Sequence, residues 1–273
     1  MTIYNKVKAK RESFCSLFLR KRKENMKRIL FGIGLTGILI MGLAGCTKNN
    51  STQLQSDENI ESVNNPEFVA KRFLSWVYEG RSTDIEKIIG IDHSDFHDEQ
   101  IEFFEERAGS VTPVAYPLVI KYDNFSEIYQ PKEIKEDYAK AMVAYFEQIG
   151  SDYNVIGVEE EADGAEVTVE TKGIALNALA NQANRYMDSL IGFDQNMALS
   201  KYPSNQVQKA NAVLQFWAMG QLYKQGNKAP MLDKKITYTL HLDKESNGEY
   251  KPTSDTLGEV YSGSKRDTYE DGE

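Results

Sequence analysis

Ile29–Gly45 is a run of residues without a single charged side chain, and it follows 28 residues that carry ten Lys or Arg and only two acids. From Met26 the order is Met26-Lys27-Arg28, the apolar stretch Ile29–Met41, then Gly42-Leu43-Ala44-Gly45-Cys46. A short basic region, an apolar region and small residues before a cut are the three parts of a secretory signal. As a helix the 13 residues Ile29–Met41 would reach about 20 Å, short of the ~30 Å hydrocarbon layer. A removed signal is therefore expected, with a permanent membrane helix extended through Gly45 as the alternative. Gly32-Ile33-Gly34-Leu35-Thr36-Gly37 formally matches a dinucleotide fingerprint. That motif needs a strand before it and a folded βαβ unit around it, and a cleaved signal supplies neither.

Leu43-Ala44-Gly45-Cys46 resembles the bacterial lipoprotein lipobox at every position of that motif. The resemblance implies diacylglyceryl transfer to the Cys46 thiol and cleavage between Gly45 and Cys46. Small Ala44 and Gly45 leave the backbone open to a protease, and two acyl chains anchor stably where one is marginal. Residues 1–25 fit poorly, because Cys15 lies among Phe14, Ser16, Leu17 and Phe18 without the small residues of a lipobox. Translation from Met26 accounts for them, and either start leaves residues 1–45 as the signal.

The chain holds 32 basic and 41 acidic residues; ten and two of these precede Ile29, so 22 and 39 remain from Cys46 onward, a net charge of −17 over residues 46–273. Nucleic-acid binding needs a basic footprint, and attraction to anionic head groups needs positive charge; neither is expected. Cys46 is the only cysteine after the signal, which excludes a disulfide framework and a thiolate metal site. Residues 46–65 form the lipidated cysteine and a polar tether, too poor in apolar side chains to repay ordering. Residues 262–273 read as a polar tail, leaving 66–261 as the globular domain.

Asn65-Pro66 reads as an N-cap with proline at the first helical position. Val69, Phe73, Trp76 and Val77 follow at helical spacing, and Gly80 is a stop. Asp84–Ile89 suggests a short helix, and Ser94 or Asp95 a cap for another with Phe96, Ile101, Phe103 and Phe104 inward. Pro131–Ile149 predicts a helix with Ile134, Tyr138, Met142 and Tyr145 on one face. The period then changes to two. Tyr153–Val158 and Ala165–Thr171 are strands joined across Asp163-Gly164. Ile174–Met197 and Asn205–Lys224 return to helical spacing. A last hairpin sets Ile236, Tyr238, Leu240 and Leu242 against Thr237, Thr239 and His241, turns at Ser246-Asn247-Gly248 and returns through Glu249–Lys251.

These elements predict an α+β fold: an antiparallel sheet packed by the N-terminal helices, with a helical pair inserted between two β-hairpins. From Pro66 to about Tyr261 the chain resembles uncharacterised Gram-positive lipoprotein families with a cystatin-like or nuclear-transport-factor-two-like domain. The residues that carry the likeness are Phe68-Val69-Ala70-Lys71-Arg72-Phe73-Leu74 before Gly80, and Val155–Ala178 with Glu166-Val167-Thr168-Val169-Glu170. The helical pair departs from the simple form of that fold. The resemblance implies a fold and a lipid anchor, and brings no catalytic residue.

Candidate chemistry is sparse. His93 and His97, four apart among Asp92, Asp95, Asp98, Glu99 and Glu102, would share a helix face as zinc ligands do; acids at a helix start also answer its dipole. His241, beside Thr237 and Thr239, could be oriented for acid–base work by a cross-strand Glu166 or Glu170, or simply lie on an exposed sheet face. Glu159-Glu160-Glu161 lacks the spaced oxygens of a calcium loop. Tyr186, Met187, Leu190, Phe193, Met197, Phe216, Trp217, Met219, Leu222 and Tyr223 on the inserted helices read as core, with a Met- and aromatic-rich groove for a peptide as the functional alternative. The expectation is a lipid-anchored protein outside the cytoplasmic membrane whose domain binds a protein or small ligand without catalysis or cofactor. The alternatives are a metal-assisted hydrolase using His93 and His97, and the solute receptor of a transporter.

Overall fold

Asn65 opens the fold as its sequence predicts: its Oδ1 accepts from the backbone N–H of Glu67 at 2.9 Å and of Phe68 at 3.3 Å. The computed structural model describes residues 63–80, 88, 93–111, 114–253 and 255–266. Helix α1, Pro66–Glu79, buries Val69, Ala70, Phe73, Leu74, Trp76, Val77 and Tyr78, and ends at Gly80 with φ +60°. The expected helix Asp84–Ile89 lies outside the described residues except for Ile88, which is buried. Helix α2, His93–Val111, begins before the expected caps Ser94 and Asp95. Its Phe96 ring stacks on Trp76, and Phe104 is buried.

A hairpin not expected from the sequence follows, β1 Leu118–Tyr122 and β2 Phe125–Tyr129, paired from Leu118↔Tyr129 to Tyr122↔Phe125. Only β1 has a buried face, through Leu118 and Ile120, so the alternating signal is five residues long. The turn at Asp123 takes φ +48°, a conformation that aspartate tolerates better than most residues. Helix α3, Pro131–Glu147, stops two residues short of the expected Ile149 and buries Ile134, Met142, Tyr145 and Phe146. The Glu133 carboxylate accepts from Gln130 N–H at 2.7 Å at its start.

The main sheet has four antiparallel strands in the order β3-β4-β6-β7: Tyr153–Glu160, Gly164–Thr171, Ile236–Lys244 and Tyr250–Pro252. Both expected hairpins are present. They join through β4 and β6, in register from Gly164↔Asp243 to Thr171↔Ile236. Val167, Val169, Leu240, Leu242 and Tyr250 are buried on the inner side, against which α1 packs. Helix α3 packs on α1 and carries α2.

The expected helix Ile174–Met197 is corrected. Ile174-Ala175 is instead strand β5, and helix α4 runs only Leu176–Ser189. Gly192 at φ +76° breaks the chain direction, and a one-turn α5, Gln195–Ala198, restarts under an Asp194 cap. A 3-10 turn at Ser204–Gln206 leads into α6, Val207–Lys224, which packs against α3 and α4. The inserted helices thus lie between the hairpins in sequence, as expected.

Order also continues past residue 261. Helix α7, Thr256–Gly263, leads to β8, Lys265–Arg266, which pairs in parallel with β5. Ser264, expected in a polar tail, is fully buried, and its carbonyl accepts from Ile174 N–H at 2.9 Å. Tyr261 holds the helix in place: its ring sits 4.6 Å from Phe104 and 4.7 Å from Phe146, and its hydroxyl accepts from Gln100 Nε2 at 2.6 Å.

Candidate functional site

Alternation along β4 and β6 sends Glu166, Thr168 and Glu170, with Thr237, Thr239 and His241, to the outer face of the sheet. The register sets Glu166 directly across from His241. Cross-strand neighbours in an antiparallel pair stand within side-chain reach, and Glu166 Oε1 lies 3.2 Å from His241 Nε2. Of the two partners expected for His241, the structure brings in Glu166; Glu170 instead faces Lys235 at 3.6 Å.

A second carboxylate, unforeseen in the sequence, completes the arrangement. Glu259 on α7 places Oε1 2.7 Å from His241 Nδ1 and accepts the His241 backbone N–H through Oε2 at 2.8 Å. Thr256 donates its hydroxyl to the His241 carbonyl at 2.9 Å. Strand β7 is too short to cover this stretch, since its pairing with β6 runs only from Leu242 to Lys244. Side chains of α7 therefore take the place of ladder partners along the edge of β6.

The Glu259 hydrogen bond raises the His241 pKa above its ordinary value; burial opposes it, and the Glu259 charge and then Glu166 add to the rise. An imidazole has two N–H donors only when protonated, so flanking acceptors favour the cation. Held as the cation between carboxylates on opposite ring nitrogens, the ring presents no lone pair as a general base. The carboxylates also do not converge on one point, as ligands of a single metal ion must.

The other candidates are distributed elsewhere. His93 and His97 both lie on α2, and His97 is exposed; the side chain of His93 is outside those described. No group of three or more His, Cys, Asp or Glu among the described residues is placed to hold a metal ion. Glu160 accepts the Tyr250 hydroxyl at 2.6 Å and lies 3.6 Å from Lys244 Nζ; the Tyr250 bond first, and Lys244 with it, hold its carboxyl below the usual range. On the inserted helices Trp217, Met219 and Leu222 are buried, and Tyr186, Met187, Leu190, Phe193 and Phe216 pack on the core. Met197 and Tyr223 are exposed, at 42% and 39%. The expected aromatic positions are therefore mostly interior. A shallow depression of about 350 Å³ is lined by Asn64, Asn65, Pro66, Glu67, Val158 and Glu160, and includes no residue of α4, α6 or the His241 cluster. Gly45 and Cys46 lie outside the described residues.

Fold and cluster together define an α+β domain with an acidic, histidine-bearing outer sheet face. No family model matches the chain, and no curated protein matches it. Among solved structures it is similar to the crystal structure of a candidate lipoprotein, YcdA, from Bacillus subtilis: TM-score 0.43 and 11% identity, over 79% of this chain and 60% of that one. The chain thus spans about 60% of the length of the protein it matches. A likeness so distant leaves the function to be argued from this chain's own residues. No described helix is long and apolar enough to cross a membrane.

Proposed function

We propose that the protein is a lipoprotein anchored through a diacylglyceryl group on Cys46 to the outer face of the cytoplasmic membrane, with a domain that binds a protein or small ligand rather than turning one over. The observation that carries this reading is Leu43-Ala44-Gly45-Cys46 closing an uncharged run behind Met26-Lys27-Arg28. The engagement of both His241 ring nitrogens by carboxylates supports binding over acid–base catalysis. The net charge from Cys46 onward favours a neutral or basic partner over a nucleic acid.

The anchor is tested by growing cells with a labelled fatty acid and partitioning membranes in a phase-separating detergent. Wild type is expected in the detergent phase, labelled and beginning at Cys46; Cys46→Ala is expected unlabelled in the aqueous phase. Label or detergent partition retained by Cys46→Ala would sink the reading. Binding is tested by thermal shift against divalent metals, wall fragments, short peptides and sugars. A ligand at a hundred times its Kd stabilises by about 2.7 kcal/mol. A metal-dependent hydrolytic turnover lost in His93→Ala/His97→Ala would replace the binding reading with the enzyme.

A further inference from the structure

We propose that Glu166, His241 and Glu259 form a proton-operated latch that closes α7 over the edge of β6. The inference stands on the described domain and does not depend on the anchor. From His241 back toward Thr237, the edge of β6 has no strand beside it among the described residues, and contacts from the C-terminal segment cover it. Glu259 takes the His241 N–H, Thr256 the His241 carbonyl, and Arg266 donates to the Thr237 carbonyl at 3.2 Å. An uncovered strand edge is a template for pairing with another chain, so what controls α7 controls access to that edge.

The control follows from counting protons on the ring. The imidazolium donates from Nδ1 to Glu259 and from Nε2 to Glu166 at once. The neutral ring has one N–H, so one nitrogen must turn a lone pair toward a carboxylate oxygen. Closure and protonation are thus coupled. The other charged groups around the ring do not relieve the conflict: Glu159 stands across from Glu166 on β3, Asp243 lies two residues along β6 on the same face, and Lys251 opposite Asp243 is engaged by Glu245 at 2.9 Å. The side chain is half exposed, so the proton exchanges with solvent while the domain stays folded. The flanking carboxylates, Glu259 first, raise the pKa from the ordinary ~6.5, which sets opening at a pH above that at which a free imidazole loses its proton. Tyr261 and Ser264 remain seated in the core, confining the movement to the Glu259 face of α7 and to Thr237–His241 of β6.

The test is amide hydrogen exchange on the full-length chain in detergent from pH 6 to 9, corrected for intrinsic exchange. Wild type is expected to lose protection severalfold at the His241 amide and along α7 as pH rises. His241→Arg, cationic throughout, is expected to stay protected, and His241→Gln to exchange fast without a pH trend. Glu166→Gln, which keeps the Glu259 bonds, is expected to shift the wild-type transition to lower pH and covers the case in which the Arg variant does not fold. Wild-type protection that is flat across the range overturns the proposal, as does an equal pH trend in His241→Gln.

Discussion

Gly164 shows how one absent side chain sets the geometry of the sheet. A Cβ there would stand 2.5 Å from the Leu242 carbonyl oxygen, which is backbone and has nowhere to go. Gly164→Ala is therefore expected to destabilise by about 1–3 kcal/mol, read from chemical denaturation, and an unchanged midpoint would contradict the close approach of β4 and β6. Trp217 is the opposite case, a large ring 98% withdrawn from solvent and ringed by Tyr129, Tyr186 and Phe193. Truncation to Ala is expected to cost about 3–5 kcal/mol; a loss below 1 kcal/mol would mean the site is not core. For His241, the folded pKa is raised, so its contribution to stability is full below the ordinary value near ~6.5 and fades as pH rises through the folded value. Denaturation of wild type and His241→Gln should converge over that interval on the alkaline side. Divergence there would reverse the sign of the interaction.

Elements divide by how local their causes are. Helix α1 was legible because its cap, its proline, its apolar face and its glycine stop all lie within 16 residues. Asn65→Ala is expected to cost about 1 kcal/mol by leaving the first-turn N–H groups without their acceptor, measurable as a lowered Tm with unchanged helix content. Strands β5 and β8 were illegible because two residues carry no period. Their positions come from non-local contacts: Ile174 N–H to Ser264, Leu232 N–H to Gly173, and Ala175 N–H to Pro230. Helical spacing over Ile174–Met197 lost to those contacts at one end and to Gly192 at the other. Tertiary pairing overrides propensity in such places.

At the scale of the molecule, the chain carries 15 tyrosines, several of them held in the core. Burial pushes Tyr138, Tyr145 and Tyr153 up to about 12, and Tyr78, Tyr238 and Tyr261 further still. An unfolded chain releases these protons near pH ~10, so the folded state binds more protons above that pH and stability falls as pH rises. Alkaline titration followed by tyrosinate absorbance is expected to show an early wave from exposed rings and a late, cooperative wave that coincides with loss of circular dichroism. A single wave near the ordinary value, with structure intact, would show that these rings are not buried as described.

By itself the sequence determined what short-range physics controls. Alternation in Ala165–Thr171 and Ile236–Leu242 set which side chains face the core, helical spacing set α1 and the inward face of α3, and the uncharged run before Cys46 set the expectation of an anchor. It also put His241 on a polar face and named Glu166 among its possible partners. Only the tertiary structure decided which carboxylates reach the ring. Glu166 and His241 are 75 residues apart, and the inserted helices between them can be crossed by more than one strand pairing that buries the same apolar faces. Glu259 lay in a segment whose helix takes its place from Tyr261 and Ser264 packing into distant parts of the core. A ring held on both sides depends on register and docking, and both are properties of the assembled sheet rather than of any stretch within it.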